Sequence, residues 1–326
     1  MSRPEFDRQT AIHPREIGIG GRLIGNCFLD AARFIEEMVK YASVINADGT
    51  FIETHPYSEL FPSDSENMLE LSKLEQIIKN LDRYMIPTKL MDIVIVSYAK
   101  DDYCKSLTEN CIKSILKSEN YAEKLFNIIA VESEHGVKWE YLSDIVHTFE
   151  APLPYGYHKF LNFGRKQGNS QFVALCNNDL EFKAKWFTNI MKASVMESDA
   201  ISFSPICPMT QSIYEIYEHS GNIEGYEIRK HISGWCIIHR REIYNIIGDL
   251  DERFHHWFCD NDYSMELQYH GLKHILVTDS IVIHHDKNIG KTTERVITDK
   301  NQMYDMTSGS LPIFQEKWRK KWRNKI

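Results

Sequence analysis

Apolar residues recur along the chain with two different periods. Phe28, Ala31, Ala32, Ile35, Met38 and Val39 fall three or four residues apart, the spacing of one helix face. Asn46-Ala-Asp-Gly49 closes that segment with turn chemistry. After the polar stretch Ser63-Asp-Ser-Glu66, a second helical run places Leu71, Leu74, Ile78, Leu81 and Met85 on one side, and Pro87 ends it. This seam reads either as packing against a neighbouring domain or as a coiled-coil contact between copies of the chain. No catalytic constellation stands in these first 89 residues.

From Met91 the texture changes. Asp92-Ile-Val-Ile-Val-Ser97 is short, β-branched and apolar, the pattern of a strand buried on both faces. Leu107, Cys111, Ile112, Ile115 and Leu116 then line a helix. Lys124 to Val131 is a second buried strand, so a βαβ unit is predicted. Gln171 to Cys176 and Ala200 to Ser204 read as strands, and Trp186 to Met196 as a helix. Arg240 to Ile247 and Asp262 to Tyr269 read as helices, stopped by Gly248 and Gly271. His274 to Val277 and Ser280 to His284 read as two further strands. The alternation predicts an α/β domain over 90–290, with a helical extension over 1–89 and a tail over 291–326. Ligands of open α/β sheets bind at the carboxyl edge of the strands, which singles out the residues just after each strand.

The composition narrows the classes. Of 326 residues, 43% are hydrophobic and 26% charged, which excludes a disordered or collagen-like chain. The net charge of −8 argues against coating nucleic acid by charge alone. No run approaches the roughly 18–20 apolar residues of a membrane span, and the first residues lack a secretory core. The seven cysteines are scattered with no CxxC pair, so reduced thiols, a cytoplasmic setting and no zinc cluster are expected.

Candidate chemistry lies at the strand ends. Asp179, with Asn177 two residues before it, follows a buried strand and suits a Mg²⁺ or Mn²⁺ ion on phosphate; Asn-Asn-Asp is also plain turn chemistry. Asp260 follows the aromatic run Phe254 to Phe258, where a raised pKa would suit a general base; Asp260 or Asn261 would equally serve as a helix cap. His284-His285-Asp286 ends the last strand, either as metal ligands or as a solvent-facing loop. Lys291 and Arg295 follow and would neutralise phosphate.

In order, these pieces resemble the family 2 glycosyltransferases, inverting enzymes with a GT-A fold, and in particular their rhamnosyltransferase-like branch. Asp92 to Tyr98 looks like the opening strand, Ala130-Val131-Glu132-Ser133 the second strand, and Asn162-Phe-Gly164 with Gly168 the segment before the third. Leu175-Cys-Asn177-Asn178-Asp179 stands in the D-x-D slot. Ser233-Gly234-Trp235 resembles the acceptor-side strand, Ile247 to Phe254 the "hG-x-hDE-x-F" pattern, Phe258 to Asp262 the "E-D-x-D" helix start, and Ser280 to His284 the late strand with its histidine. The resemblance covers roughly residues 90–290. It implies a mixed, mostly parallel sheet flanked by helices. Nucleotide contacts are implied at Ser97, Tyr98, Glu132 and Asn178, with Lys291 and Arg295 on phosphate. It also implies a divalent metal on Asp179 with His284, an acceptor floor at Gly234, Trp235 and Asp262, and Asp260 as base. The activity implied is transfer of a hexose or pentose from a nucleotide sugar, UDP- or dTDP-linked, to a hydroxyl on a glycan, a modified nucleobase or a protein. Three departures stand out: Glu132 for the usual Asp, Asn177 for the first Asp of D-x-D, and Cys259 for Glu. They leave open a non-catalytic sugar-nucleotide or glycan-binding module. A nucleotidyltransferase would need a Gly-rich loop after the first strand, and Ser97-Tyr-Ala-Lys-Asp-Asp has none.

Residues 311–326 carry six Lys or Arg against one Glu, with Phe314, Trp318 and Trp322 at helical spacing. Such a helix would lie on an anionic membrane or a nucleic acid backbone, or turn its aromatic stripe onto the preceding domain.

Overall fold

The structure, a computed structural model, describes residues 89–285, apart from 121, 138 and 140–142, and residues 300–325, apart from 302, 303, 305 and 306. The predicted N-terminal helices, Asp286, Lys291 and Arg295 lie outside the described residues, as does the oligomer contact proposed for those helices. All described residues belong to the second of two compact units, 89–326.

The apolar run after Asp92 forms β1 (Met91–Ser97), buried on both faces. β2 (Phe126–Glu132) and β4 (Phe172–Cys176) flank it in parallel, and β3 (Val146–Glu150) lies parallel outside β2. The crossover helix α1 (Asp102–Ser118) starts at a cap in which the Asp101 carboxylate accepts from the Cys104 amide at 2.8 Å. Beyond β4 the sheet becomes mixed. β8 (Cys236–Arg240) runs antiparallel to β4, and β6 (Ala200–Ile206) antiparallel to β8. β9 (Lys273–His284) is parallel to β6 and carries β5 (Leu180–Phe182) and β7 (Asn222–Glu224) as antiparallel partners. Helices α2 (Tyr157–Arg165), α3 (Trp186–Met196), α4 (Cys259–His270) and α5 (Ser310–Arg323) pack around it. This is the mixed α/β sheet with flanking helices that the sequence predicts for a GT-A domain.

β3, β5 and β7 have no counterpart in the sequence reading, and two of the expected elements take another form. The strands expected at 274–277 and 280–284 are one strand, β9. Its register against β6 shifts between Val277 and Ile281, so polar Thr278-Asp-Ser280 is absorbed as a bulge. Half of the helix expected over 240–247 is strand end and 3₁₀ turn, and the other half is one α-turn at Tyr244–Ile247 stopped by Gly248 at φ 74°.

The Asn-x-Gly segment has a packing origin. Asn162 ties α2 to the chain before α4: its amide nitrogen donates to the Leu250 carbonyl at 2.8 Å, and its oxygen accepts from the Leu250 amide at 3.0 Å. Gly164 lets α2 settle on the sheet, since a Cβ there would stand 2.4 Å from Val94 Cγ1 and 2.8 Å from Val131 Cγ2. Both valines are buried and stiff at χ1. Gly164→Ala is therefore expected to destabilise the domain by about 1–3 kcal/mol, the scale of core overpacking. Calorimetry should record this as a melting temperature lower by about 2–4 °C per kcal/mol.

Candidate active site

The register brings four chain segments to one edge of the sheet. Ser97 pairs with Glu132, Ile95 with Cys176, and Cys176 with Cys236. The ends of β1, β2 and β4 and the approach to β8 therefore meet. β5 pairs Leu180 with His284, so the end of β9 arrives beside Asp179.

At the tip of β1, Glu132 is 1% exposed and its carboxylate is engaged by the protein. Oε1 accepts from the Ala99 and Glu134 amides at 2.9 and 2.8 Å, and Oε2 from the Ser97 hydroxyl at 2.7 Å. Ser97 is buried too and lies 2.8 Å from Thr108 Oγ1, which accepts from Asn178 Nδ2 at 2.9 Å. Ser97, Glu132 and Asn178, read as nucleotide contacts, are thus one hydrogen-bonded cluster that shapes the turn. Tyr98 rides on that turn, 37% exposed. A cleft of about 550 Å³ opens beside Glu132, with Trp139, His147 and Thr148 in its wall.

Asn177 does not act as a second metal carboxylate would. Its amide donates to the Trp235 carbonyl at 2.9 Å, and its side-chain oxygen accepts from the Tyr157 hydroxyl at 2.8 Å. Asp179 differs: its Oδ1 is buried without a hydrogen-bond partner. His284 Nε2 lies 3.4 Å away, outside hydrogen-bond alignment. An unsatisfied buried carboxylate oxygen costs stability, and a cation beside it would remove that cost. Among the described residues no third His, Cys, Asp or Glu joins the pair. One carboxylate, an imidazole and phosphate oxygens suffice for Mg²⁺ or Mn²⁺. The residues present fit such an ion on a diphosphate.

Trp235 is 8% exposed and stacks on the His284 ring, with centroids 5.5 Å apart and planes 17° apart. The open aromatic floor expected for an acceptor is therefore occupied on one face by the imidazole, which Trp235 orients. The preceding residue, Gly234, touches the other carboxylate: a Cβ on it would stand 2.6 Å from Asp260 Oδ2. Gly234 and Trp235 thus join the Asp179–His284 pair to Asp260.

Asp260 lies in the first turn of α4, one residue inside it. The cap position belongs to Phe258, at φ 69°. Burial raises the Asp260 pKa, with the Asn261 amide, which donates to Oδ1 at 2.9 Å, and the Arg229 charge pulling the other way. Tyr157, Leu161, Leu175 and Tyr263 share the small cavity that Asp260 borders, which accounts for the desolvation. A carboxylate with a raised pKa, fixed at a helix start, is suited to accept a proton.

Asp262 corrects its assignment to the acceptor. It is 2% exposed, and both its oxygens are bound by α5: Oδ2 accepts from Lys317 Nζ at 2.7 Å and Oδ1 from Trp318 Nε1 at 2.9 Å. Lys317 also meets Glu266 at 3.0 Å and Asp251 at 3.2 Å. Burial opposes the charge on Lys317, but the Asp262 and Glu266 carboxylates outweigh it and its pKa rises. The aromatic stripe of α5 faces the domain: Phe314 packs on Phe254 and Phe258, Trp318 is buried, and Trp322 lies edge-on to Tyr269. The stripe is a packing surface, and the sequence reading missed that Lys317 is its anchor. It also passed over Tyr157 and Arg229; a tyrosine after a Pro-Tyr-Gly turn and an arginine in a polar loop carry little local signal.

No helix among the described residues is long and apolar enough to cross a membrane. No protein-family model matches the chain, and no curated protein matches it. Among solved structures it is similar to the crystal structure of GalNAc-T7 with UDP, GalNAc and Mn²⁺, at 14% identity and a TM-score of 0.46. The similarity covers 60% of this chain and 42% of that one, so it spans less than half of the neighbour's length.

Proposed function

We propose that the protein is a metal-dependent inverting glycosyltransferase of the family 2 type, moving a sugar from a nucleotide diphosphate sugar to a hydroxyl acceptor. One observation carries the reading. Two carboxylates of opposite character, one unpartnered beside His284 and one desolvated against Gly234, flank a single dipeptide, Gly234-Trp235. The first suits a cation on a leaving diphosphate, and the second suits a base on the attacking hydroxyl.

When bound, the metal would supply charge stabilisation for the departing diphosphate. Asp179 and His284 would hold it, and Trp235 keeps His284 in place. Asp260 takes the acceptor proton as the oxygen attacks the anomeric carbon from the face opposite the leaving group, which inverts that centre. The buried wall behind Asp260 keeps its basicity above that of an exposed Asp. A non-catalytic sugar-binding module would have no need of a desolvated carboxylate at the acceptor side.

The test is incubation with UDP-, dTDP- and GDP-sugars and Mn²⁺, with release of the nucleotide followed over hours. Slow hydrolysis dependent on Mn²⁺ is expected with at least one donor. Tight nucleotide binding with no release from any donor would instead favour the binding module. Tyr98 and the cleft beside Glu132 form the base end of the site, and its backbone turn offers a fixed edge to a small ring. UDP or dTDP is expected to bind more tightly than GDP by calorimetry, and a preference for GDP would reassign this end.

A further inference from the structure

The turn that leads into Gly234 carries a charge that neither takes the proton nor holds the metal in the proposed reaction. Arg229 sits in the left-handed region at φ 69°, a conformation uncommon for any residue with a side chain. Glycine would make the same turn without that strain. The conformation is imposed from both sides. The Arg229 amide donates to the Ile232 carbonyl at 2.9 Å, and the Arg229 carbonyl accepts from Gln211 Nε2 at 3.0 Å. Gln211 is fully buried; its Oε1 accepts from the Cys207 amide at 2.9 Å, and its Nε2 also reaches Ser233 Oγ at 3.2 Å. Cys207 Sγ in turn accepts from the His284 amide at 3.5 Å. The Arg229 turn is therefore locked to both His284 and the Gly234 segment.

The side chain itself is exposed. Its neighbour Lys230 is paired with Glu227 at 2.8 Å, whereas Arg229 makes no ion pair among the described residues. Its backbone stands beside the segment that leads to Gly234, because Gln211 Nε2 is shared by the Arg229 carbonyl and Ser233 Oγ, and its charge favours the ionised Asp260 carboxylate. A cation held in strained backbone on the turn into Gly234, without a carboxylate of its own, is arranged to meet an anion brought by a ligand. The donor diphosphate belongs at the other end of the Gly234-Trp235 step, with Asp179 and His284.

We propose that Arg229 binds an anionic group of the acceptor, so that the hydroxyl attacked belongs to a sugar bearing a carboxylate or a phosphate. This rests on the glycosyltransferase reading, and it deepens that reading by naming the acceptor class. The planar guanidinium fork suits either anion bidentately.

Binding of three probes to the full chain, in the presence of UDP and Mn²⁺, tests it by saturation-transfer NMR: methyl glucuronide, glucose 6-phosphate and neutral methyl glucoside. At least one anionic probe is expected to bind about tenfold more tightly than the glucoside, the scale of a charge-assisted contact. A preference for the glucuronide identifies a carboxylate, and one for glucose 6-phosphate a phosphate. Arg229→Gln should erase the difference and Arg229→Lys retain part of it. Arg229→Gly should erase it while keeping or raising the melting temperature, since glycine relieves the strained φ. UDP affinity should be the same in all four proteins. Equal binding of the three probes, or a preference that survives Arg229→Gln and Arg229→Gly, overturns the proposal. Loss of UDP affinity in those variants moves Arg229 to the donor and overturns it as well. Because these are binding measurements, failure of every nucleotide sugar to turn over would sink the transferase reading separately.

Discussion

Asp260→Asn is expected to lower turnover about 10²–10⁴-fold, the usual scale of general base catalysis. Nucleotide affinity should stay nearly constant, because Asp179 and His284 stand on the far side of Trp235. The fold should also persist: the Asp260 oxygen that accepts from the Asn261 amide has an equivalent in asparagine. The pH profile adds a second signature. Burial raises the Asp260 pKa, and the base works deprotonated. Turnover should therefore rise with pH through a value above that of an ordinary Asp, and this limb should be absent from the residual rate of the Asn variant. The stability sign follows from the same shift. A carboxyl whose folded pKa is raised contributes stability below its unfolded pKa and loses it as pH rises through the folded value. At neutral pH the ionised group is a mild burden, so the Asn variant should melt at the same temperature or slightly higher. Full activity in this variant would leave the mechanism without a base, since Asp251 is held by Arg253 and Lys317, and Asp262 by Lys317 and Trp318.

Asp179→Asn should act on the other half of the reaction. Removing a direct ligand should weaken Mn²⁺-dependent UDP binding by at least about 10–100-fold, the loss seen when only the partners behind a metal ligand are removed. Metal-independent binding of uridine should persist. The apoprotein should melt at the same temperature or slightly higher, because Oδ1 has no hydrogen bond to lose and the amide carries no charge to bury. Equilibrium titration of Mn²⁺ at fixed UDP is the measurement. Normal metal dependence in the variant would mean that Asp179 only makes the turn between β4 and β5.

The parts of this molecule that announce themselves in sequence are those governed by burial. β1, β2 and β4 are apolar on both faces, so composition alone marks them as central strands. β3 has no fully buried residue, and β5 and β7 have three residues each, too few to show a period. Site residues followed the same division. Asp179 and Asp260 stand out as candidates because each comes within three residues of an apolar or aromatic run. The fates of Glu132 and Asp262 were not, because local sequence places a carboxylate but says nothing of which distant donors claim it. Glu132 is spoken for by the β1 tip, 33 to 35 residues away, and Asp262 by a helix 55 and 56 residues further on. Trp235 was expected as a surface for sugar, and its partner His284 comes from the end of another strand.

The attachment of α5 to α4 also sets an order of events during synthesis. The helix that bears Asp260 is complete at His270, but the lysine between its carboxylates and Asp251 arrives 47 residues after that point. At about 5–20 residues per second, the nascent chain waits roughly 2–10 s for it. During that interval Asp251, Asp262 and Glu266 have only part of their counter-charge, and closing them into the domain would leave buried anions unpaired at about 3–5 kcal/mol. A chain that ends before residue 317 therefore has its strands complete, while the helix that carries Asp260 lacks the α5 partners of Asp262 and Glu266. On the function proposed above, such a fragment would bind donor and turn it over poorly until α5 is seated on α4.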